Sequence, residues 1–195
     1  LKALQHTDHL DEAGEAFLKK NTIPVGCRTG DAAYLKKTGL TVQVELDYWD
    51  STPVLNGKIT AIPAKHGHGW VHKMMANGAG FFIQLPDEPS IYICGDTVFT
   101  ADVERVLNEL SPDISVVASG SARLDVGGPI LMPLEEIIAF VSKAPNKVIA
   151  NHLEALNHCS TTREQLKNEL EKNNLLSKTM IPADGETFSI DLKSL

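Results

Sequence analysis

The sequence predicts one domain of mixed α/β class, with a mixed β-sheet system and helices on the outside. In the first half, short apolar or alternating runs are separated by turn signals, which is typical of meandering strands. In the second half, buried apolar strands alternate with helical patterns. The 195 residues suffice for one domain with a real core or for two small ones. Because no linker, repeat or low-complexity tract divides the chain, residues 1–195 are expected to form a single domain.

Two helices and five strands are expected before Asp96. In the first helix, apolar residues recur at helical spacing ahead of a basic pair, and Gly39 suits the end of the second. The Asn56-Gly57 pair predicts a hairpin turn, and the last two strands look like hairpin partners. The expected helices cover Glu12–Lys20 and 31–37, and the expected strands cover 22–27, 40–46, 58–64, 81–85 and 90–94.

Three helices and four strands are expected after Asp96. Pro133 suits the first position of a helix, and two glutamates follow it in the first turn. Thr161 and Glu164 have the spacing of a capping box. The expected helices cover 102–110, a segment from Pro133 and a segment through Glu171, and the expected strands cover 113–118, 148–150, 179–182 and 187–192.

Composition limits which binding partners and which cellular compartment we expect. The net charge is −7 with scattered basic residues, which disfavours a nucleic-acid backbone as the main partner. No segment is long and apolar enough to span a membrane, and no signal peptide is visible. Cys27, Cys94 and Cys159 are far apart and form no Cys-x-x-Cys pair, so we expect unreactive buried thiols and a cytoplasmic protein. The chain opens on Leu1 without an initiator Met, and we expect it to be the remainder of a longer protein.

The first residues of the chain gather side chains that bind transition metals. His6, Asp8 and His9 place two imidazoles and a carboxylate within one short stretch. Imidazole nitrogen together with carboxylate oxygen suits zinc, iron and manganese better than calcium or magnesium. His6 and Asp8 point to the same side of an extended segment, and a turn brings His9 inward. The alternative is a helix cap formed by Thr7 or Asp8.

Further metal-binding side chains follow the ends of predicted strands, where a scaffold usually presents its ligands. His66 and His152 lie at such ends, and so does Asp96 in the run Gly95-Asp96-Thr97. A carboxylate directly after a buried apolar strand is costly without a cation. Taken singly, each histidine reads as a surface residue and Asp96 as a helix cap. Four strand ends that each carry His or Asp favour one shared metal site.

The order of these residues resembles the metallo-β-lactamase superfamily. A His-x-Asp-His run comes first, then a lone His after a strand, then Gly-Asp-Thr, then a last His after a strand. The runs 73–75, 92–97 and 152–159 are similar to a bacterial branch of metal-dependent hydrolases akin to the L-ascorbate-6-phosphate lactonases. The resemblance covers nearly the whole chain. It implies an αββα sandwich, N-terminally truncated here, with the site at one edge between two sheets.

The resemblance also implies a divalent metal, with zinc first and manganese or iron as alternatives. The family's first motif has one more His, at the position where this chain has Leu4. One metal position therefore keeps three ligands and the other is complete, so one or two ions are expected and the first position is the weaker. The three-ligand set is His6, His66 and Asp96, and the complete set is Asp8, His9, Asp96 and His152.

The expected reaction is hydrolysis of a small anionic metabolite that is a lactone, ester or phosphoester. A bound divalent metal lowers the pKa of coordinated water towards neutrality and makes hydroxide available. Asp8 and Asp96 are the expected catalytic residues. Asp8 binds metal and orients the hydroxide in this scheme, and Asp96 bridges or holds the metals.

Four more residues are expected around the metal. Glu154 and His158 follow His152 at offsets that suit outer contacts fixing a ligand's tautomer. Helix-start hydrogen bonds are the alternative for both. Arg123 is expected to meet an anionic group of the substrate, and a plain surface arginine is its alternative. His68 is expected at the entrance of the site, where a glycine-rich mobile loop is the alternative.

Two other function classes stay open. A metal-binding protein without turnover is one, because Leu4 leaves one metal position short. A nuclease or phosphodiesterase is the other, and the lack of a basic stripe weakens it. The expected partner is a small-molecule substrate rather than a membrane or nucleic acid, and a homo-oligomer is compatible with the sequence.

Overall fold

A seven-stranded sheet organises the fold. The computed structural model of the protein describes residues 10–75, 78–124, 127–154 and 158–190. The strands are β1 Val25–Arg28, β2 Val42–Leu46, β3 Ser51–Val54, β4 Gly57–Ala64, β5 Gly78–Gln84, β6 Ile91–Ile93, β7 Ile114–Ala118, β8 Arg123–Leu124, β9 Gly128–Pro129, β10 Lys147–Asn151 and β11 Thr179–Met180. The helices are α1 Glu12–Lys20, α2 Thr29–Lys37, α3 Val71–Met74, α4 Ala101–Arg105, α5 Leu134–Lys143 and α6 Arg163–Lys172. The large sheet has the order β11-β10-β7-β6-β5-β4-β3, and β1-β2 and β8-β9 form two small sheets beside it.

The predicted meander forms the antiparallel half of the large sheet. β3 pairs with β4, β4 with β5, and β5 with β6, all antiparallel. Leu55 and Asn56 connect β3 to β4 with φ angles of 46° and 63°. Two left-handed residues give the turn the twist that a two-residue hairpin requires. The predicted hairpin is confirmed, but its turn is Leu55-Asn56 rather than the predicted Asn56-Gly57, because Gly57 already begins β4. The pairing of β5 with β6 is also confirmed.

The alternating second half of the chain forms the parallel half of the sheet. β6, β7, β10 and β11 pair in parallel, and α4, α5 and α6 lie in the connections between them. The predicted helix over 102–110 is present, but its second half, Val106–Leu110, is a π-helical turn. Parallel strands need such crossover connections, which explains why helices alternate with strands in this half. The same holds for the small β1-β2 sheet, whose two parallel strands are joined by α2.

The elements stack in four layers, helix, sheet, sheet, helix. Leu35 of α2 is buried in a cluster with β1. Leu46 of β2 belongs to a second cluster with Phe81 of β5, between the two sheets. Phe82, the next residue, points to the opposite face and shares the main core with Phe140 of α5. The expected αββα arrangement is therefore confirmed.

The capping box of α6 lies one residue later than predicted. Thr162 is the N-cap, and the reciprocal partner is Gln165 rather than Glu164. The hydroxyl of Thr161 instead donates to Oγ of Ser121 at 2.7 Å. Because this long-range contact occupies Thr161, the following threonine caps the helix.

Smaller differences concern the ends of elements. Pro133 is the N-cap of α5 and not its first helical residue. Residues 187–190 form no strand, and the remainder of the strand predicted there lies outside the described residues. A search of the described residues for a helix of bilayer-spanning length and hydropathy finds none.

Candidate metal centre

Four strands of the large sheet end at the same edge. β4 and β6 both run antiparallel to β5, so they share a direction, and β7 and β10 are parallel to β6. The carboxyl ends of strands are where open α/β sheets bind their ligands. The segments that follow β4, β6, β7 and β10 carry His66, Asp96, Gly120 and His152. The topology therefore brings three of the predicted ligands to one edge.

His66 has a defined tautomer beside Asp96. Its Nδ1 lies 2.8 Å from the carbonyl oxygen of Ile130, and the residue is 1% exposed. Because a carbonyl oxygen only accepts, Nδ1–H donates and the lone pair of the neutral ring is on Nε2. Nε2 lies 3.6 Å from Oδ2 of Asp96, which is 4% exposed. Metal-binding histidines commonly donate one ring N–H to a carbonyl in this way and direct the other nitrogen to the metal.

The loops that carry His66 and Asp96 are bonded to each other. The backbone N–H of Val98 donates to the carbonyl oxygen of Lys65 at 2.9 Å. The N–H of Lys65 donates to Oγ1 of Thr97 at 3.0 Å, and that hydroxyl donates to the Val98 carbonyl oxygen at 2.8 Å. These bonds hold the two loops in a fixed relation next to the imidazole and the carboxylate.

Helix capping was the alternative role for two predicted ligands, Asp8 and Asp96. In the structure, other residues cap the helices concerned. Thr100, not Asp96, caps α4, and its Oγ1 accepts from a backbone N–H in the first turn at 3.2 Å. Asp11 caps α1, its carboxylate accepting from a backbone N–H at 2.7 Å. The cap suggested for Thr7 or Asp8 is therefore wrong for this helix.

His152 leaves β10 with a left-handed backbone, at φ 55°. Its Nδ1 lies 3.5 Å from Sγ of Cys159. The N–H of Ser119 donates to the carbonyl oxygen of Asn151 at 2.9 Å, which joins the end of β7 to the end of β10. At Gly120, a Cβ would lie 2.3 Å from the His152 carbonyl oxygen and 2.8 Å from Cys159 Sγ. Only glycine lets the chain pass this close to His152.

The ligands predicted at the start of the chain, His6, Asp8 and His9, lie outside the described residues, as does Leu4. Among the residues that the structure does describe, no three His, Cys, Asp or Glu side chains form a group that could hold a metal ion. A complete metal site at this edge therefore needs donors from elsewhere, and residues 6–9 stay the predicted source.

His68, Arg123 and His158 lie around this edge in different ways. His68 Nε2 contacts Oε1 of Glu136 at 2.5 Å, and its side chain is half exposed. Arg123 is exposed on β8, and its N–H donates to the His158 carbonyl oxygen at 3.2 Å. Arg123 also lines a cavity of about 210 Å³ together with Ser121, Pro129, Pro133, Leu134, Glu135, Ser160 and Thr161.

Glu154 makes the contacts of its alternative role, at the start of α6. Its Oε1 accepts from the backbone N–H of Arg163 at 3.0 Å, and Oε2 accepts from Nη1 of the same residue at 2.5 Å. Hydrogen bonds from Arg163 lower the pKa of Glu154. An outer role for Glu154 towards His152 stays a prediction.

Sequence reasoning did not single out two side chains that contact predicted site residues. Cys159 was expected to be a buried unreactive thiol, but it is only partly buried and contacts His152. Cys94 matches the expectation, since it is fully buried and burial raises the pKa of its thiol. Glu136 was read as a first-turn acid that favours its helix, and its contact with His68 is long-range. No local sequence pattern marks either contact.

Comparison with known families identifies the chain. A family model described as the β-lactamase superfamily domain matches residues 4–152. The chain belongs to this superfamily. The matched range contains every predicted metal ligand, and the predicted metallo-β-lactamase membership is confirmed. The narrower resemblance to L-ascorbate-6-phosphate lactonases stays a prediction.

This chain covers most of the length of its curated relatives. The UPF0173 protein YddR of Bacillus subtilis (strain 168) is 32% identical over 188 residues, which are 94% of this chain and 72% of the relative. A UPF0173 metal-dependent hydrolase of Methanopyrus kandleri is 25% identical over 186 residues, or 94% of this chain and 78% of the relative.

Solved structures agree with the relatives. The isothiocyanate hydrolase from Delia radicum gut bacteria superimposes with a TM-score of 0.85 at 28% identity, covering 95% of this chain and 74% of that one. A possible metal-dependent hydrolase from Veillonella parvula gives a TM-score of 0.83 at 26% identity, covering 95% and 73%. Together they confirm the expected enzyme class, a metal-dependent hydrolase of the metallo-β-lactamase superfamily.

The residues present fit a divalent transition metal. His66 has its outer N–H on a carbonyl oxygen, and a buried carboxylate faces its other nitrogen. Burial of Asp96 directly after an apolar strand favours a nearby cation. A mixed imidazole and carboxylate donor set is the kind that zinc, iron and manganese share.

Proposed function

We propose that the chain hydrolyses a small anionic lactone, ester or phosphoester at a metal centre on this edge of the sheet. The buried pair of His66 and Asp96 carries the proposal, because its tautomer and burial are those of metal-binding groups. Zinc is the first candidate, with manganese and iron as alternatives, and one or two ions bind. The residues that would hold them are His6, Asp8, His9, His66, Asp96 and His152.

The protein's own groups have separate tasks in this proposal. When bound, the metal supplies Lewis acidity towards the substrate oxygen and the attacking water. The Ile130 carbonyl oxygen accepts from Nδ1–H of His66, so that in the neutral ring the lone pair of Nε2 is directed to the metal position. Asp96 contributes a carboxylate already desolvated by the fold. Asp8 would bind the metal and orient the attacking water.

Arg123 is the proposed contact for the anionic group of the substrate. Its exposed side chain borders the cavity of about 210 Å³, large enough for a small anionic group. Within the described part of the chain, no carboxylate forms an ion pair with Arg123. A guanidinium binds carboxylate or phosphate through two parallel hydrogen bonds, which gives orientation as well as charge.

An isothiocyanate is the second candidate substrate. One solved relative is an isothiocyanate hydrolase, and Trp70 favours an uncharged organic group here. Trp70 follows His66 in the same loop and is 54% exposed. An exposed indole offers apolar surface to an organic side group. This substrate class does not require Arg123.

Metal content measured with a substrate screen tests the proposal. Elemental analysis of the purified protein precedes assays with lactones, phosphoesters, phosphodiesters and isothiocyanates. We expect Asp96→Ala to lose metal and activity together. Arg123→Ala should keep its metal and raise KM for an anionic substrate with little change in kcat, because the contact is uniform in ground and transition states.

Each alternative gives a different result in the same assays. A metal-binding protein without turnover hydrolyses nothing, even with metal bound. A nuclease or phosphodiesterase cleaves the phosphodiesters first. Turnover of isothiocyanates that Arg123→Ala leaves unchanged selects the second candidate. An Asp96→Ala protein with full activity contradicts the mechanism.

We also propose a cytoplasmic location. The three cysteines, Cys27, Cys94 and Cys159, are far apart in the sequence and form no Cys-x-x-Cys pair, which favours a reducing compartment. Fractionation of cells that make the tagged protein tests this, and enrichment outside the cytoplasm contradicts it.

A further inference from the structure

One carboxylate on α5 bonds both loops that carry the predicted ligands His66 and Asp96. Glu136 Oε1 accepts from Nε2 of His68 at 2.5 Å, two residues after His66. Its Oε2 accepts from the backbone N–H of Phe99 at 2.7 Å, three residues after Asp96. A single side chain on a packed helix thus spans the two segments whose geometry matters most for the metal.

The start of α5 explains why Glu136 is available for these bonds. Glu136 is the third helical residue, the position whose side chain usually accepts from the N-cap backbone N–H. The N-cap of α5 is Pro133, which has no N–H. In α6 the equivalent residue, Gln165, does accept from its N-cap, Thr162, at 2.9 Å. Glu136 therefore has no capping partner in its own helix, and its carboxylate reaches the loops.

The helix that carries Glu136 is a rigid support. Ile137 and Phe140 on the same helix are fully buried in the main core. The ring of Phe99 also packs edge-on against Phe140, with centroids 6.3 Å apart. Phe99 is thus attached to α5 through its backbone and its side chain, and the loop after β6 cannot shift without disturbing both contacts.

We propose that Glu136 is a positioning residue, which fixes the loop of His66 against the loop of Asp96 and so prepares the site for metal. We call Glu136 with His68 and Phe99 the Glu136 brace. The expected effect on metal affinity rests on the proposed function. The expected effect of Glu136 on the two loops does not, because it also holds for the metal-free protein. A residue that only stabilises α5 would lower overall stability without a specific effect on either loop.

Glu136 and Gln165 are each the third residue of their helix, α5 and α6. Glu136→Ala is therefore the test variant, and Gln165→Ala is its matched control. Hydrogen–deuterium exchange of the protein in chelator reports the loops 65–70 and 96–100. Competition with a chromophoric chelator reports the affinity for Zn²⁺. We expect Glu136→Ala to exchange faster in both loops and to bind Zn²⁺ about 10–100-fold more weakly, the usual cost of losing an outer contact. Gln165→Ala should match the wild type in both measurements.

Two milder variants keep the test decisive should Glu136→Ala fold poorly. His68→Ala removes a half-exposed side chain and should loosen the 65–70 loop alone. Glu136→Gln keeps an acceptor for the Phe99 N–H and should loosen the 96–100 loop less than the 65–70 loop. The inference would be overturned if these variants had the same loop exchange rates and the same Zn²⁺ affinity as the wild type. Faster loop exchange with unchanged Zn²⁺ affinity would overturn the positioning role. A wild type that binds none of Zn²⁺, Mn²⁺ and Fe²⁺ contradicts the proposed function, whereas loop exchange still decides the brace.

Discussion

At the scale of residues, His66 and His152, the two predicted imidazole ligands within the described residues, each have a neighbour at Nδ1. His66 donates to the Ile130 carbonyl oxygen, and His152 has the thiol of Cys159 at 3.5 Å. In the proposed site, the second nitrogen of each ring would bind the metal. Outer partners of this kind fix ring orientation and tautomer and raise ligand basicity. The thiol is the weaker partner, so we expect His152 to be the more easily disturbed of these two predicted ligands.

Replacement of Cys159 should therefore weaken metal binding. We expect Cys159→Ala to lower Zn²⁺ affinity, towards the about tenfold end of outer-contact effects, and Cys159→Ser to retain more of it through the hydroxyl. A competition titration with a chromophoric chelator measures this. Cys27→Ala is the matched control, because Cys27 lies in the separate cluster of α2 and β1 and should affect stability alone. Equal affinity in all three variants contradicts the role of Cys159.

Glu154 should make stability depend on pH. Hydrogen bonds from Arg163 lower its folded-state pKa below the unfolded value of about 4.3. Such a group contributes stability above the unfolded pKa and loses that contribution as pH falls through the folded pKa. Glu154→Gln should thus have a lower unfolding midpoint than the wild type at neutral pH, and the difference should vanish in acid. Thermal unfolding in chelator measures it, and a difference of equal size at both pH values contradicts the assignment.

At the scale of elements, local patterns predicted most strands and helices because hydrophobic period and turn chemistry are local properties. The hairpin between β3 and β4 and the helix over Glu12–Lys20 follow from such signals, although the turn lies one residue earlier than the Asn56-Gly57 pair indicated. The shift of the α6 capping box does not, because a contact of Thr161 with a distant serine selects between two adjacent threonines. The π-helical turn after α4 also has no local signature.

The position of the capping box can be tested directly. Thr162→Ala should destabilise the protein by about 0.5–2 kcal/mol, because Oγ1 of Thr162 accepts from the Gln165 N–H at 3.1 Å. Glu164→Ala should change stability by no more than about 0.5 kcal/mol, as for most surface positions. Urea unfolding of both variants measures the difference. A larger loss for Glu164→Ala would favour the box predicted from sequence.

At the scale of the whole molecule, the sequence predicted the layers and the residues at the strand ends. It did not predict the long-range side-chain contacts that surround the site. The order of His and Asp residues indicated one shared edge, and the parallel strands place His66, Asp96 and His152 there. The contacts of Glu136 and Cys159 join residues that are distant in the chain. Such pairs depend on how helices pack on the sheet, which residue spacing does not encode.

Removal of metal should lower stability throughout the molecule. A ligand that binds only the folded state stabilises it by about 2.7 kcal/mol at a hundredfold excess over Kd. For a chain of this size that corresponds to about 5–11 °C in Tm. We expect Tm to fall by an amount of this order on chelation and to rise with added Zn²⁺. Thermal unfolding across a Zn²⁺ series measures it, with Asp96→Ala as the control that should not respond. A wild-type Tm that responds to none of Zn²⁺, Mn²⁺ and Fe²⁺ contradicts the metal centre.

The convergence of four strand ends on one edge has a kinetic consequence. Long-range strand pairing must precede the meeting of His66, Asp96 and His152, and such pairing is slow because loop closure costs entropy first. Although His6, Asp8 and His9 are close in sequence, the proposed set of ligands is complete only after these strands pair. We therefore expect bound metal to contribute little to the start of folding. Its effect should appear almost entirely as slower unfolding, the behaviour of contacts that form after the transition state. A cell would then load this enzyme after folding, and metal starvation would shorten the lifetime of the folded protein without slowing its production.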